Sequence, residues 1–556
     1  MDSFDLVVIG SGAAGLTTAV VAAQHGLSVL LVEKADVFGG TTALSFGGAW
    51  IPDNHHMPAV GQQDSEADAY AYAYLRAVLG DWYDEAKVTA FVETGPAMLH
   101  YIEAHTPLRF GPGYLPDYEL DAPGAKSSRI VASQPWDGRA LGTLIRHVRD
   151  PLPGYVLFGS FQASPMEMPK LSAAFRSWDG FAYTARRMAA FARDYLLHEK
   201  GTWLANGGAM VGCLLKAAAD AGVTLWHSTP ALRLIVDEDA VTGVVVSQKG
   251  RERPIVARRG VVLASGGFGA NEAWRQLYMP LPSTHLSAQP AECVGDGIVM
   301  GEAAGGERIA ANAANGIWAP CSAHIDRHGR IISVFPHFGD RGKPGEIIVA
   351  PDGKRFIDEA CSYQKFGNAM NAAGIEKAWL IADRTALRKY GIGLAMPAPL
   401  PFRKYVRDGY LIEAPTIRAL ADKIAVPADR LERTVAEFNA NALHGKDPDF
   451  HRGENAFDLM QGDPAHQPNP NLGPLVDPPF YAVKLHPGDC SSIPGLATSV
   501  DAEVQRDDGS AVPGLYAVGL DANSMMRGTY PGGGSSIGPA MVFGYRAALK
   551  LAANPA

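Results

Sequence analysis

The sequence predicts an α/β fold with strand, glycine-turn and helix units near both ends of the chain and a mixed α+β stretch between them. Three observations predict it. An apolar run, Phe4 to Ile9, meets a glycine cluster and then an alanine-rich stretch of helical character. A second apolar run, Gly514 to Asp521, passes through another glycine-rich turn into a helix at about 537–552. Between about 286 and 476 the pattern is mixed, with helices of its own near 384–390 and 428–442. The stretch 286–476 therefore reads as a domain of its own between the segments 1–285 and 477–556.

Composition bounds the function. The chain has 556 residues, which by length alone would suggest three or four successive units. A hydrophobic content of 47% excludes a disordered chain. Its 61 glycines lack a G-X-Y period, so collagen is excluded. The net charge is −9 and Lys and Arg form no dense run, so no nucleic-acid partner is expected. Five scattered cysteines without a C-x-x-C pair argue against a zinc knuckle or a disulfide framework. No cluster at metal-ligand spacing is legible, so no metal is expected. Without a basic leader or an apolar run approaching ~18 residues, the reading is cytoplasmic with no transmembrane segment. Peripheral membrane contact stays open.

Element by element, the first βαβ unit comes from Asp5–Ile9, the turn Gly10-x-Gly12-x-x-Gly15, a helix to about His25, a stop at Gly26, and the strand Ser28–Val32 ending at Glu33. In this context the three glycines carry distinct duties. Gly10 allows the tight turn, Gly12 lets backbone approach a pyrophosphate, and Gly15 lets helix and strand pack. The helix start at Ala13 and Ala14 offers N–H groups to phosphates. A carboxylate at Glu33 suits ribose hydroxyls, with Lys34 beside it. The unit is Rossmann-like and predicts a dinucleotide.

A second glycine-rich segment, Gly39 to Gly48, follows at once. Next come helical stretches from Glu66 to His105, and a loop over 106–138 rich in Gly, Pro, Asp and aromatics. Helical periodicity returns over 170–222. Strands are expected at Val223–Trp226, Ala231–Val236 and Val241–Ser247, then Gly260 to Gly267.

This order of motifs resembles flavoprotein oxidoreductases of the succinate dehydrogenase and fumarate reductase type. The resemblance implies FAD, held by the first glycine turn, by Gly40, Thr41, Thr42, Ala43, Gly47 and Gly48, by Ala231, by Gly266 and Gly267, and by Gly519 and Asp521. Ser535, Ser536 and Ile537 would place a helix start at the flavin edge that gains negative charge on reduction. The FAD-binding domain is then discontinuous, with an inserted substrate domain. No histidine lies in Gly39 to Ser45, so the flavin is expected to be non-covalent; His55 and His56 lie farther along.

Within that group, Gly528-Thr529-Tyr530-Pro531-Gly532-Gly533-Gly534-Ser535-Ser536-Ile537 is similar to the 3-ketosteroid Δ1-dehydrogenases. So are Gly39 to Ser45, Pro344 to Val349 with Arg355 to Glu359 and Tyr363, and Asp117-Tyr118 through Gly124. Dicarboxylate reductases carry a His-Gly-Ala-Asn-Arg-type turn where this chain has Thr529-Tyr530-Pro531-Gly532, which argues against fumarate or succinate. The resemblance implies that Tyr530 and the Gly534 N–H polarise a substrate carbonyl. Tyr363 is the implied base for the α-proton, and flavin N5 takes the β-hydride. Tyr118 is the implied supporting tyrosine, with Tyr114 and Tyr195 as competitors. His486 reads as structural or a cofactor-loop contact, and Cys490 as a small buried hydrophobe.

The implied substrate is a 3-ketosteroid, with a smaller cyclohexanone-type ring as the alternative. A flavin reductase of activated double bonds, or a flavin-binding module without catalysis, completes the alternatives. An external quinone or dye-like molecule is the expected electron acceptor.

Overall fold

The computed structural model describes residues 2–64, 68–164, 167–174 and 177–553. Its largest sheet has eight strands. Along its main path lie Glu503–Gln505, Ala511–Ala517, Arg251–Leu263, Asp2–Ile9, Val29–Val32 and Thr224–Trp226. The four neighbouring pairs from Ala511–Ala517 to Thr224–Trp226 are parallel. Glu503–Gln505 joins antiparallel at one edge. The hairpin Ala231–Asp237 and Ala240–Gln248 pairs with the first half of Arg251–Leu263. Both ends of the chain therefore meet in one sheet.

The central strands are apolar on both faces because helices cover both sides. Val7 and Val8 are both fully buried, and belong to different cores. The helix Ala13–Gln24 is nearly all small or branched apolar residues and is buried along most of its length. It packs against the last helix, Ile537–Ala553, closely enough that Thr18 Oγ1 donates to Gly544 C=O at 3.1 Å. A β-carbon at Gly544 would sit 2.8 Å from Ala14 C=O, so that residue sets the approach of the two helices.

A separate antiparallel sheet runs Glu346–Val349, Ala378–Ala382, Phe480–Leu485, Leu411–Ala414. The helices Arg384–Tyr390 and Ala428–Ala442 lie where the sequence places them. Glu66, the expected start of the early helical stretch, lies outside the described residues; the helices there are Asp68–Leu79 and Glu85–His105.

The segment 106–138 differs from the expected loop. Ile130–Ser133 pairs with Phe110–Pro112 on one side and with Gly48–Trp50 on the other in a three-stranded sheet. These strands are three or four residues long and include Gly and Pro. They carry no alternation of their own, because pairing with a distant segment rather than local propensity makes them extended.

The turn between those strands is held by charge. Arg129 is fully buried; its guanidinium donates to both carboxylate oxygens of Asp64 at 2.8 Å, to Asp117, and to Gly124 C=O at 2.9 Å. Asp117 also accepts from Trp50 Nε1 at 2.8 Å and Lys126 N–H at 3.0 Å. Removing one member would strand a buried charge. Arg129→Ala should lower the unfolding free energy of the FAD-loaded protein by about 3–5 kcal/mol. Chemical unfolding followed by tryptophan fluorescence checks this, and an unchanged midpoint would show that the network carries no stability.

Candidate functional site: glycine turns and a tyrosine triad

The first turn is built as its glycines require. Gly10 has φ +109°, and a β-carbon there would overlap the Ala264 carbonyl. A β-carbon at Gly15 would overlap the Gly10 carbonyl. The helix starts at Gly12, whose C=O accepts the Leu16 N–H at 2.9 Å, so the N–H groups before Leu16 face out of the helix start. Thr42 Oγ1 takes the Ala13 N–H at 2.9 Å, and Ser11 Oγ takes the Gly39 N–H at 2.9 Å. The two glycine segments are thus laced together.

Between them is room. A β-carbon on Gly12 would meet nothing nearer than Thr42 Oγ1 at 3.5 Å, and one on Gly40 nothing nearer than Gly12 Cα at 3.9 Å. Facing glycines at a helix N-terminus form a cradle suited to a pyrophosphate. Glu33 accepts from Ser11 N–H at 3.1 Å, from Ser11 Oγ, and from Ala35 N–H at 2.9 Å, at the end of its strand. Lys34 instead reaches Asp296 at 2.8 Å. Thr41 Oγ1 lies 3.8 Å from Cys293 Sγ, and Ala43 is buried. Gly47 C=O accepts from Ser133 N–H at 3.0 Å, and Gly48 pairs with Ala132.

The later motifs converge on the same turn. Gly266 has φ +95°, and a β-carbon on Gly267 would overlap Ser492 Oγ. Asp521 is fully buried and accepts from Ser265 N–H and, at 3.1 Å, from Ser265 Oγ. Burial pushes its carboxyl up to about 7. A β-carbon on Gly519 would lie 3.1 Å from Ala14 Cβ. A cleft lined by Gly519, Asn523, Met526, Ser535 and Ser536 also touches Ile317 and Ile493. Ile537 opens the last helix. Ala231 begins a strand in the branching hairpin and pairs with Val246.

Beyond that cleft stand three tyrosines. Ring centroids of Tyr118, Tyr363 and Tyr530 are 5.6–5.7 Å apart pairwise. Phe457, Ile317 and Ile493 pack with Tyr118 and Tyr530, while Leu115, Leu120 and Cys490 flank them. Tyr530 Oη accepts the Gly534 N–H at 3.3 Å. The Tyr363 ring packs edge-to-face on Tyr118 and at a tilt on Tyr530. Burial pushes Tyr530 up to about 12. Tyr118 is raised further, and Tyr363 well above the ordinary range, by burial and then by its two tyrosine neighbours. At neutral pH all three are phenols and can donate.

Each tyrosine is placed by its own loop. Tyr118 N–H donates to Pro531 C=O at 2.8 Å, tying the 113–128 turn to the Tyr530 segment. Gly534 has φ +90°, and its C=O accepts from Trp50 N–H at 3.2 Å. Tyr363 begins the helix Tyr363–Ala372, capped by Ser362. Tyr114 is 67% exposed and Tyr195 is 50% exposed, so neither joins the triad. His486 pairs through its backbone with Cys321, and burial holds its imidazole down at about 4.

Phe338 and Phe457 escaped the sequence reading because they lie in no motif. Phe338 packs on Tyr363 at 4.8 Å and on Phe46 at 5.7 Å, continuing through Tyr155 to Phe335 as an aromatic wall. Behind that wall His337 joins Asp340 and Ser322 at 2.8 Å each, an order seen in hydrolase triads. Here Ser322 is buried and its hydroxyl is engaged by Tyr410 at 2.7 Å, so the array anchors Phe338 instead of offering a nucleophile.

Glycine cradles spread over both ends of the chain, together with a buried tyrosine triad, define a flavoprotein oxidoreductase. Residues 5–537 match the FAD binding domain family, and the chain belongs to it as an FAD-dependent oxidoreductase. It is 40% identical to the 4-oxocyclohex-2-ene-1-carboxylate 5-dehydrogenase of Sinomonas cyclohexanicum, over 99% of this chain and 93% of that protein. It is 36% identical to a 3-oxosteroid 1-dehydrogenase of Mycobacterium tuberculosis, over 99% of each. The 3-ketosteroid Δ1-dehydrogenase of Sterolibacterium denitrificans, solved with 1,4-androstadiene-3,17-dione, superposes with a TM-score of 0.89 at 34% identity over the full length of both chains. Among the described residues no helix is long and apolar enough to cross a membrane.

Proposed function

We propose that this protein removes two hydrogens from adjacent carbons beside a ring ketone, with a 3-ketosteroid dehydrogenated at C1–C2 as its substrate. The observation that carries the reading is the triad itself: three mutually packed tyrosines, one of them facing a backbone N–H, in an apolar wall. Bound FAD supplies the two-electron acceptor for the β-hydride. Tyr530 Oη donates to the ketone oxygen, and the Gly534 N–H, which donates to Tyr530 Oη in the structure, turns to the same oxygen, so that both stabilise the enolate charge as the α-proton leaves. The phenolate form of Tyr363 takes that proton at Oη and becomes the phenol, and Tyr118, packed edge-to-face against its ring, fixes its direction. The aromatic wall from Phe338 to Phe335 suits a large apolar ring system. The inserted unit 286–476 supplies Tyr363 and closes that wall. An external quinone-type acceptor completes turnover.

A second reading keeps the chemistry and shrinks the substrate to a single oxocyclohexane ring. The 40% identity to an oxocyclohexene carboxylate dehydrogenase favours it. Anaerobic mixing separates the two. Bleaching of the flavin by an androstenedione-sized ketone supports the first, bleaching only by 4-oxocyclohexanecarboxylate supports the second, and none with any cyclic ketone sinks both.

Tyr530→Phe should retain FAD yet slow flavin reduction about 10²–10³-fold, the usual effect of losing one oxyanion donor. Stopped-flow reduction near the wild-type rate would remove Tyr530 from the role. Because the Tyr363 hydroxyl ionises only well above the ordinary tyrosine range, its phenolate fraction grows with pH throughout the neutral and mildly alkaline range. Exchange of the substrate α-proton with solvent deuterium should therefore rise about tenfold per pH unit from roughly 7 to 9, without a plateau. Tyr363→Phe should abolish that slope. A flat wild-type profile, or a slope that survives in the variant, would place the base elsewhere.

A further inference from the structure

His55 and His56 lie in the turn after Gly48–Trp50 and belong to neither the cofactor turns nor the tyrosine triad. Glu103 lies 47 residues on from His56 in the helix Glu85–His105. His55 Nε2 is 2.7 Å from Glu103 Oε2, and His56 Nε2 is 3.2 Å from Oε1 and 3.3 Å from Oε2. One ligand atom from each residue falls within 4.8 Å of the other two. We propose that His55, His56 and Glu103 form a binding site for a zinc-class divalent transition-metal ion.

The argument begins with the donor set. Two imidazole nitrogens and one carboxylate oxygen suit a borderline cation, and three protein ligands leave a position for water. Bonds of about 2.0–2.1 Å in a tetrahedron separate ligand atoms by about 3.3 Å. The His56–Glu103 separations already match that edge, His55 must move about 0.6 Å away from Glu103, and the two imidazole nitrogens already lie within 4.8 Å of each other. The side chains of His55, His56 and Glu103 are 30%, 19% and 13% exposed, so an ion can enter without unfolding.

The second argument is preorganisation. Buried Asn54 donates to Ile51 C=O at 2.8 Å and to Ser128 and Arg129 carbonyls at 3.2 and 3.3 Å, while its Oδ1 accepts the His56 N–H at 3.1 Å. The turn carrying both imidazoles is therefore fixed before any ion arrives. Glu103 Oε1 accepts the Phe110 N–H at 2.8 Å, which orients the carboxylate as outer-shell partners of metal ligands do. His100, one turn before Glu103, stacks on His55 with centroids 4.1 Å apart and limits its rotation. A bound ion would clamp the turn to the helix and stabilise the folded chain by mass action.

The test uses untagged, FAD-loaded protein stripped with a chelator and then titrated with Zn²⁺ by calorimetry. One ion per chain with a dissociation constant of about 10 μM or tighter is expected. Co²⁺ should add ligand-field absorption at wavelengths beyond the flavin band. His56→Ala and Glu103→Gln should each weaken uptake at least about tenfold with unchanged FAD content. His227→Ala, an imidazole outside the site, should leave it intact. Lack of stoichiometric uptake by the wild type overturns the proposal without any variant. Uptake undiminished in both ligand variants overturns it equally.

Discussion

Charge that is buried must be matched, and this requirement positions two of the three tyrosines. Arg129, Arg341 and Arg452 are among the largest fully buried side chains. Arg129 binds Asp64 and Asp117 and so fixes the residue just before Tyr118. Arg341 donates to the carbonyls of His337, Phe338, Glu359 and Cys361, drawing the wall and the approach to Tyr363 around one guanidinium. Arg355 and Arg452 share Glu359, with Asp447 completing the cluster. A buried guanidinium has several donors in a fixed plane, so satisfying it dictates the path of several backbone segments at once. Apolar packing alone would tolerate more than one path.

The cofactor region obeys a different rule. There the requirement is absence of side chains. Gly10, Gly15 and Gly534 sit where a β-carbon would overlap or crowd backbone atoms, while Gly12 and Gly40 face open space. The first group permits the fold, and the second leaves room for a ligand. Both kinds of glycine stand in the same short motifs, which is why such motifs identify a site as well as a turn.

The parts legible in the sequence were those with local signatures. The first βαβ unit, the helices 384–390 and 428–442, and the closing strand and helix all declared themselves through periodicity and glycine punctuation. The short strands Phe110–Pro112 and Ile130–Ser133 did not, because their extended form comes from pairing with segments about twenty and about eighty residues away. The choice between Tyr118 and Tyr114 was equally hidden. It turns on the Asp117–Arg129 pair and the Tyr118–Pro531 hydrogen bond, neither visible in a loop of aromatics and prolines. Phe338 and Phe457 matter only through where their backbones pass. The adjacency of His55 and His56 could be read directly, but Glu103 joins them only in three dimensions.

The joining of both chain ends in one sheet has a consequence for synthesis. Asp2–Ile9 is made some 250 residues before its strand neighbour Arg251–Leu263, and Ala511–Ala517 comes later still. The helix that packs on Ala13–Gln24 follows it at great distance, with the contacting pair Thr18 and Gly544 separated by 526 residues. For most of translation the apolar first strand and its glycine turn have no complete partner surface, whereas the antiparallel sheet between Glu346 and Leu485 can close from contiguous sequence. That sheet is thus the natural early folder, and the nascent Asp2–Ile9 segment is a natural client for chaperones until the helix Ile537–Ala553 has been made.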